Sequence, residues 1–342
     1  MTDKVLVTGI SGFLGGHVAL ALLDAGYAVR GSLRDPRKAP AVRAALQAAS
    51  ASGTVEGLEF IGLDLNIDEG WLKAAEGCRY VQHVASPLAL RMPRDRHEMI
   101  GPAVDGTRRA LLAALKAGVE RVVLTSSIAA IVYGHPETRS DPFTGADWSN
   151  TVGNGVNAYT ESKTMAELEA WSIMESAGRR NDLAVVNPSV ILGPLLYADA
   201  RTSGQMVLRL LDGSAPAAPR MHLGVVDVRD VAELHLKAME TPNAGGQRYI
   251  ASAGTLSFME AADALRTAFP DRARHIPRFE LPDWLVRLYG FWDHDVRHHL
   301  DSLGRPRPTD ARPAARLLGY PFISPAAAAV AMGRSLMELK LV

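Results

Sequence analysis

The chain has 342 residues, 47% of them hydrophobic, 22% charged and 6% aromatic, an ordinary globular composition. Its 37 basic residues balance its 37 acidic ones, so no strong field draws it to nucleic acid or anionic lipid. No run approaches the roughly 18 apolar residues that span a bilayer, and the single cysteine, Cys78, excludes an intrachain disulfide and a multi-cysteine metal knuckle.

Residues 4–23 set a cation ahead of apolar residues, as a secretory signal would, but Gly9, Ser11, Gly12, Gly15, Gly16 and His17 interrupt any apolar core. That stretch reads as folded structure. Cys78 reads as a small buried hydrophobe, since no activating partner stands beside it, and it fits a reducing, cytoplasmic setting.

Short β-branched runs alternate with longer amphipathic segments through the first half. Strands are expected at residues 4–7, 28–33, 58–63, 80–85, 121–125 and 183–187, and helices at 13–25, 40–51, 67–76, 96–117 and 158–177. This is the rhythm of parallel βαβ units, and it predicts an α/β fold with a doubly wound parallel sheet covered on both faces. After Pro188 frequent prolines break the chain into short pieces, which predicts a smaller lobe rather than a second wound sheet. The expected division is a dinucleotide-binding domain over residues 1–187, with return segments near 225–253, and a discontinuous substrate lobe over 188–224 and 254–342. Residues 225–227 and 247–251 are the candidates to rejoin the sheet edge.

Thr8-Gly9-Ile10-Ser11-Gly12-Phe13-Leu14-Gly15 follows the first strand at once and opens the first helix. Glycines let backbone N–H groups approach a pyrophosphate, the helix N-terminus favours its charge, and Gly15 permits close helix–strand packing. A plain tight turn is the alternative. The context of strand before and helix after favours a dinucleotide site of the Rossmann type, with Gly9, Ser11, Gly12, Phe13, Leu14 and Gly15 as contacts.

The end of the second strand speaks to which dinucleotide. An acidic residue there would repel a 2′-phosphate, whereas this chain has Ser32-Leu33-Arg34 and then Arg37 and Lys38. Arg34 and Lys38 therefore imply NADP(H), with Asp35 expected to begin a turn at Pro36 and face away. Asp64-Leu65, after the third strand, stands where such folds bracket the adenine, unless Asp64 merely caps.

Tyr159 and Lys163 lie four residues apart on a predicted helix and share a face. Bringing a phenol from a pKa of about 10 to neutrality requires roughly 4 kcal/mol. A cation about 4 Å away contributes about that much at an effective dielectric of about 20, less the desolvation of the lysine itself, so the lysine alone is marginal and the positive nicotinamide of an oxidised cofactor would supply the rest. Thr125-Ser126-Ser127 ends the fifth strand at its carboxyl edge, where open parallel sheets place ligands, and offers a hydroxyl to a substrate oxygen. Ser127 is preferred to Ser126. Pro188 ends the sixth strand, and backbone near Pro188 and Val190 would face a nicotinamide carboxamide, against the alternative of a mere strand-ending turn.

In order and spacing these motifs resemble the extended short-chain dehydrogenase/reductase family, in its dihydroflavonol reductase, cinnamoyl-CoA reductase and yeast-type carbonyl reductase branch. The resemblance rests on the glycine turn, Ser32-Leu33-Arg34-Asp35-Pro36, His83-Val84-Ala85-Ser86-Pro87, Thr125-Ser126-Ser127, Pro188-Ser189, Val226-Asp227-Val228-Arg229-Asp230 and Ala315-Arg316-Leu317-Leu318-Gly319-Tyr320. It implies catalytic roles for Ser127, Tyr159 and Lys163, cofactor contacts at Val84, Ala85 and Ser86, and phosphate contacts at Arg34 and Lys38. Two departures stand out. Residues 101–107 contain no asparagine where many members carry a fourth catalytic residue, and Gly155-Val156-Asn157-Ala158 lacks the Asn-Trp-Tyr signature of cinnamoyl-CoA reductases.

The expected function is an NADPH-dependent reductase of ketones or aldehydes, reversible as an alcohol dehydrogenase, acting on a small molecule as a monomer or homodimer. Pro87, Leu88, Tyr197, Met206 and Val226 are candidate walls of its pocket, with ordinary core packing as the alternative for each. A nucleotide-sugar epimerase or dehydratase of the same fold, or a non-catalytic NADP(H) sensor, are the alternatives. His294 and His298 have the spacing of a zinc clamp, but the motif fixes no third ligand and hydride transfer needs none, so no metal is expected.

Overall fold

A computed structural model describes residues 2–53, 55–87, 95–136, 138–198, 203–289 and 307–342. Strands β1 (Lys4–Thr8), β2 (Ala28–Leu33), β3 (Leu58–Gly62), β4 (Tyr80–His83), β5 (Arg121–Thr125), β6 (Leu183–Pro188) and a later strand, Arg248–Ala251, form one seven-stranded parallel sheet. Reading across from that later strand, the order is β6, β5, β4, β1, β2, β3. The winding reverses between β1 and β4. A crevice opens at such a point above the carboxyl ends of the strands.

Alternation along each strand sends residues to two separate cores. Val5 and Val7 of β1, Val123 of β5 and Ala184 and Val186 of β6 face one side, against α1 (Phe13–Asp24), α2 (Ala39–Ala49) and a helix Val228–Glu240. Leu6, Val122, Leu124, Leu183 and Val185 face the other, against α3 (Trp71–Ala75), α4 (His97–Lys116) and α5 (Ala158–Ser176). A sheet buried on both faces explains why its strands read as nearly continuous apolar runs.

Most expected elements stand within two residues of their predicted ends. The helix expected over 67–76 is shorter, Trp71–Ala75, because Gly70 takes the left-handed conformation at φ 89° and stops the helix there. Of the two segments expected at the sheet edge, the second supplies the seventh strand, which we label β10. The first does not join the sheet. Val225–Asp227 belongs to β9 (His222–Asp227), the middle strand of a small sheet between β7 (Val190–Leu192) and β11 (Gly254–Ser257), while the short β8 (Ala218–Pro219) pairs outside it. Pro188 and Ser189 thus mark where the chain leaves the large sheet for the small one. A third core gathers Leu192, Val207, Leu210, Leu211, Val225, Leu256, Leu265, Met332 and Leu336 around that small sheet.

Candidate active site

The glycine turn is pinned from both sides. Gly9 has a φ of 71°, a region that disfavours any side chain, and its N–H donates to Ser32 Oγ at 3.0 Å. The Ile10 N–H donates to the Ser32 carbonyl at 3.2 Å, so the turn rests on the end of β2. A Cβ at Gly15 would lie 2.2 Å from the Gly9 carbonyl oxygen, which is why only glycine lets α1 approach so closely. Gly12 caps α1 without a side-chain hydrogen bond, and the first-turn N–H groups are left to an anionic ligand. From the lobe, the Tyr197 hydroxyl donates to the Ile10 carbonyl at 2.8 Å. In a trans peptide the carbonyl and the following N–H point opposite ways, so this contact aims the Ser11 N–H away from the lobe. Tyr197, expected to line the substrate pocket, braces the phosphate turn instead.

Residues 84–86 lie beside that turn. Thr8 Oγ1 accepts the N–H groups of Val84 and Ala85, each at 3.0 Å, and gives its proton to His83 Nδ1 at 3.0 Å. A Cβ at Gly9 would come within 3.1 Å of Ala85, and the ends of β1 and β4 are close enough to share one ligand. His83 is buried and neutral, its pKa pushed down to about 3 by burial and then by the charge of Lys163.

At the end of β2, Asp35 accepts the Arg37 N–H and guanidinium, and caps the short turn Pro36–Lys38. It faces Arg37, not Arg34. Arg34 and Lys38 are exposed, and no acidic side chain pairs with either among the described residues. Asp64 accepts the Asn66 N–H at 2.8 Å and so caps its own turn, while Leu65 packs on α4 against Gly106, where a Cβ would lie 2.7 Å from it.

The helix α5 begins at Asn157, whose side chain accepts the Thr160 N–H at 2.9 Å. A capping asparagine ahead of the tyrosine is what this chain has in place of the Asn-Trp-Tyr signature. Tyr159 then stands in the first turn and Lys163 one turn on, both facing inward. The Ser127 hydroxyl lies beside the phenol and favours its ionised form. Ser126 Oγ instead donates to Glu167 at 2.6 Å, so the two strand-end serines have parted company and only Ser127 meets the phenol. Ser127 Oγ also accepts the Ala129 N–H at 3.1 Å, which fixes its rotamer.

Burial sets the electrostatics. It pushes the Tyr159 phenol above its usual value, with the neighbouring Tyr133 adding to this and the Ser127 hydrogen bond opposing it. Burial also draws the Lys163 amine down to about 8, against the pull of Glu167. Desolvation dominates at the phenol, which keeps its proton at neutral pH.

Among the other expected wall residues, Val226 is fully buried in the core beside Ile191, and Met206 packs on the core of the small sheet. Both are ordinary packing. Pro87 is half-buried at the end of the segment that starts at Val84. Leu88, His294 and His298 lie outside the described residues. Among the described residues, no group of three or more His, Cys, Asp or Glu side chains is arranged to hold a metal, and no helix is long and apolar enough to cross a membrane. Cys78 is buried and its thiol is pushed up by that burial, as for an inert thiol.

Sequence reasoning passed over Tyr133, Glu167, Asn187 and Arg248, which all surround Tyr159, Ser127 or Lys163. One signal was present for Glu167. A carboxylate four residues beyond Lys163, flanked by Ala166, Ala170 and Trp171, falls on the apolar face of α5 and must find partners there.

Residues 5–254 match the NAD-dependent epimerase/dehydratase family. The chain belongs to that family, the extended short-chain dehydrogenases/reductases. Among curated proteins it is 33% identical to tetraketide alpha-pyrone reductase 2 of Arabidopsis thaliana, covering 79% of this chain and 84% of the relative. It is 33% identical to the ketoreductase azaE of Aspergillus niger, with 85% and 90% covered. Among solved structures it matches yeast methylglyoxal/isovaleraldehyde reductase Gre2 complexed with NADPH at a TM-score of 0.79 and 26% identity, over 98% of this chain and 99% of that one. Family and relatives together make the protein an NAD(P)-dependent oxidoreductase of the extended type.

Proposed function

We propose that the protein is an NADPH-dependent reductase of ketones or aldehydes, running in reverse as an alcohol dehydrogenase, with Ser127, Tyr159 and Lys163 as its catalytic residues. The observation that carries this reading is the half-buried Tyr159, its phenol beside the buried Ser127 hydroxyl, with the buried Lys163 amine one turn along the same helix. The cofactor supplies the hydride when bound. The chain's groups handle the oxygen and its proton. The Ser127 hydroxyl donates to the carbonyl oxygen and polarises it, and the Tyr159 phenol delivers a proton as negative charge develops there. A phenol held above its usual pKa is a proton donor at neutral pH, which suits reduction.

The residues around the crevice fit a dinucleotide. An uncapped helix N-terminus beside Gly9 and Gly15 has the form a pyrophosphate needs, and Val84, Ala85 and Ser86 adjoin it. Arg34, with Lys38 near it, would hold a 2′-phosphate, and Pro188 with Val190 would meet the nicotinamide end. The NADPH in the yeast relative supports the choice of NADP(H) over NAD(H). The lobe would cover the carbonyl substrate, and the protein would work as a monomer or homodimer in the cytoplasm.

The experiment is to follow loss of the reduced-nicotinamide absorbance with NADPH, and separately NADH, across aromatic and aliphatic aldehydes, ketones and ketoesters. Turnover with NADPH that survives a chelator is expected. Tight NADPH binding with no turnover across the whole panel would make the protein a sensor and end the proposal.

A further inference from the structure

The Glu167 side chain is buried on α5, one turn beyond Lys163. A carboxylate removed from water must have its oxygens satisfied or it takes up a proton. Here Ser126 Oγ donates to Oε2 at 2.6 Å and Asn187 Nδ2 to the same oxygen at 2.8 Å. Arg248 Nε donates to Oε1 at 2.5 Å, and Trp171 Nε1 reaches that oxygen at 3.3 Å. Ser126 stands just past β5, Asn187 at the end of β6 and Arg248 on β10, three adjacent strands of the large sheet. One carboxylate thus ties their ends to the helix that carries Tyr159 and Lys163.

The ties continue outward from both partners. Asn187 Nδ2 also donates to the Ser127 carbonyl at 3.2 Å. Arg248 Nη1 donates to the carbonyls of Gly145 at 2.9 Å and Asp147 at 2.5 Å, and the guanidinium lies 3.7 Å over the Trp148 ring. We propose that Glu167 is a positioning residue of this site, engaging Ser126, Asn187 and Arg248 so that Ser127 is the strand-end hydroxyl turned to the Tyr159 phenol. This rests on the catalytic reading of Ser127, Tyr159 and Lys163.

The charge of Glu167 reaches Lys163 as well as Arg248. Around Lys163, His83 on β4 is neutral, and burial holds the Tyr159 phenol above its usual value. The other nearby charges on α5 and α4 pair outward, Glu161 with Arg96 and Glu169 with Arg108, which also meets Asp105. Glu167 is therefore the buried anion that favours the ammonium form of Lys163.

The test compares Glu167→Gln, Glu167→Asp and the double variant Glu167→Gln/Arg248→Gln with the parent protein. In Glu167→Gln, kcat for carbonyl reduction should fall about tenfold or more, since small misplacements of reacting groups cost that much, while the Kd for NADPH changes less than about threefold. Glu167→Asp should recover part of the rate. The double variant, which leaves no unpaired guanidinium, should regain thermal stability without regaining rate, and it carries the test where Glu167→Gln does not fold. The Lys163 amine, followed by NMR of 15N-labelled lysine and assigned with Lys163→Arg, should titrate about one pH unit lower in both variants that lose the carboxylate. A double variant with the parent's kcat and an unmoved Lys163 midpoint would make Glu167 a mere structural ion pair and overturn the proposal. Should the parent protein reduce no carbonyl, the catalytic reading fails, and the lysine midpoint still decides whether Glu167 acts on Lys163.

Discussion

The Asp35 carboxylate holds the Arg37 guanidinium through both oxygens, at 2.8 and 3.0 Å, and its backbone N–H at 3.1 Å. The acidic residue nearest the expected 2′-phosphate site is thereby neutralised by its own turn, and Arg34 stands beside it with no carboxylate partner among the described residues. Arg34→Ala should weaken NADPH at least tenfold, as loss of a paired guanidinium–phosphate contact does, and leave NADH nearly unchanged. Fluorescence titration with each reduced dinucleotide measures this. Equal losses for both would remove Arg34 from the phosphate site.

Tyr159→Phe keeps the ring and deletes only the proton donor. Turnover should drop by about 10²- to 10⁴-fold, the range for loss of a general acid, with NADPH affinity close to that of the parent. Ser127 loses a hydrogen-bond partner in this variant, so Ser127→Ala is the companion measurement, and its rate should fall as well. Retained turnover in Tyr159→Phe would exclude the phenol from the reaction.

Lys163 gives the reaction a pH limb. Its amine, drawn down to about 8 by burial, is charged below that pH and neutral above it. In the proposed mechanism the charged form would favour ionisation of the phenol and hold hydroxyls of the cofactor, so kcat should decline as pH rises through about 8. The profile is read with saturating NADPH, and Lys163→Met should remove both most of the rate and that limb. A flat profile from pH 6.5 to 9.5 would separate the amine from the rate.

Much of this architecture is legible in the residue pattern because the local rules and the global fold agree. The β-branched runs of β1, β5 and β6 are buried on both faces, the glycine turn answers a close approach of α1 to Gly9, and Tyr159 and Lys163 follow from helical spacing. What was not legible depends on contacts distant in sequence. Nothing local distinguishes β9 from a seventh strand, since His222–Asp227 has the same apolar texture as β10 and only its pairing with β7 and β11 decides where it goes. Tyr197 looked like a pocket wall because its partner, the Ile10 carbonyl, is 187 positions away. The choice between Ser126 and Ser127 likewise turns on Glu167 and Asn187, which belong to other elements.

Buried histidines should make the fold sensitive to acid. His17 is held down to about 4 by burial, and His83 and His235 to about 3. Burial favours the neutral form of each ring, and at His83 and His235 the hydrogen-bonding neighbours favour it too. His17 Nε2 donates to the Pro194 carbonyl at 2.8 Å, His83 Nδ1 accepts from the Thr8 hydroxyl, and His235 donates from Nδ1 to Gln82 at 2.8 Å and accepts at Nε2 from Thr125 at 3.0 Å. A second ring proton on His83 or His235 would have to displace a hydroxyl that is already donating. In the unfolded chain all three titrate near 6.5, so below that pH the unfolded state binds more protons and stability falls as pH falls. Between about pH 6.5 and pH 5 the loss is on the order of 2 kcal/mol for each ring. Three such losses are comparable to the whole stability of a typical domain, about 5–15 kcal/mol. Calorimetry should therefore find Tm dropping steeply from pH 7 to 5, less steeply in His17→Gln, whose amide can keep the bond to Pro194 without titrating. A Tm unchanged over that interval would mean that the rings titrate in the fold as they do in the unfolded chain, contrary to their burial.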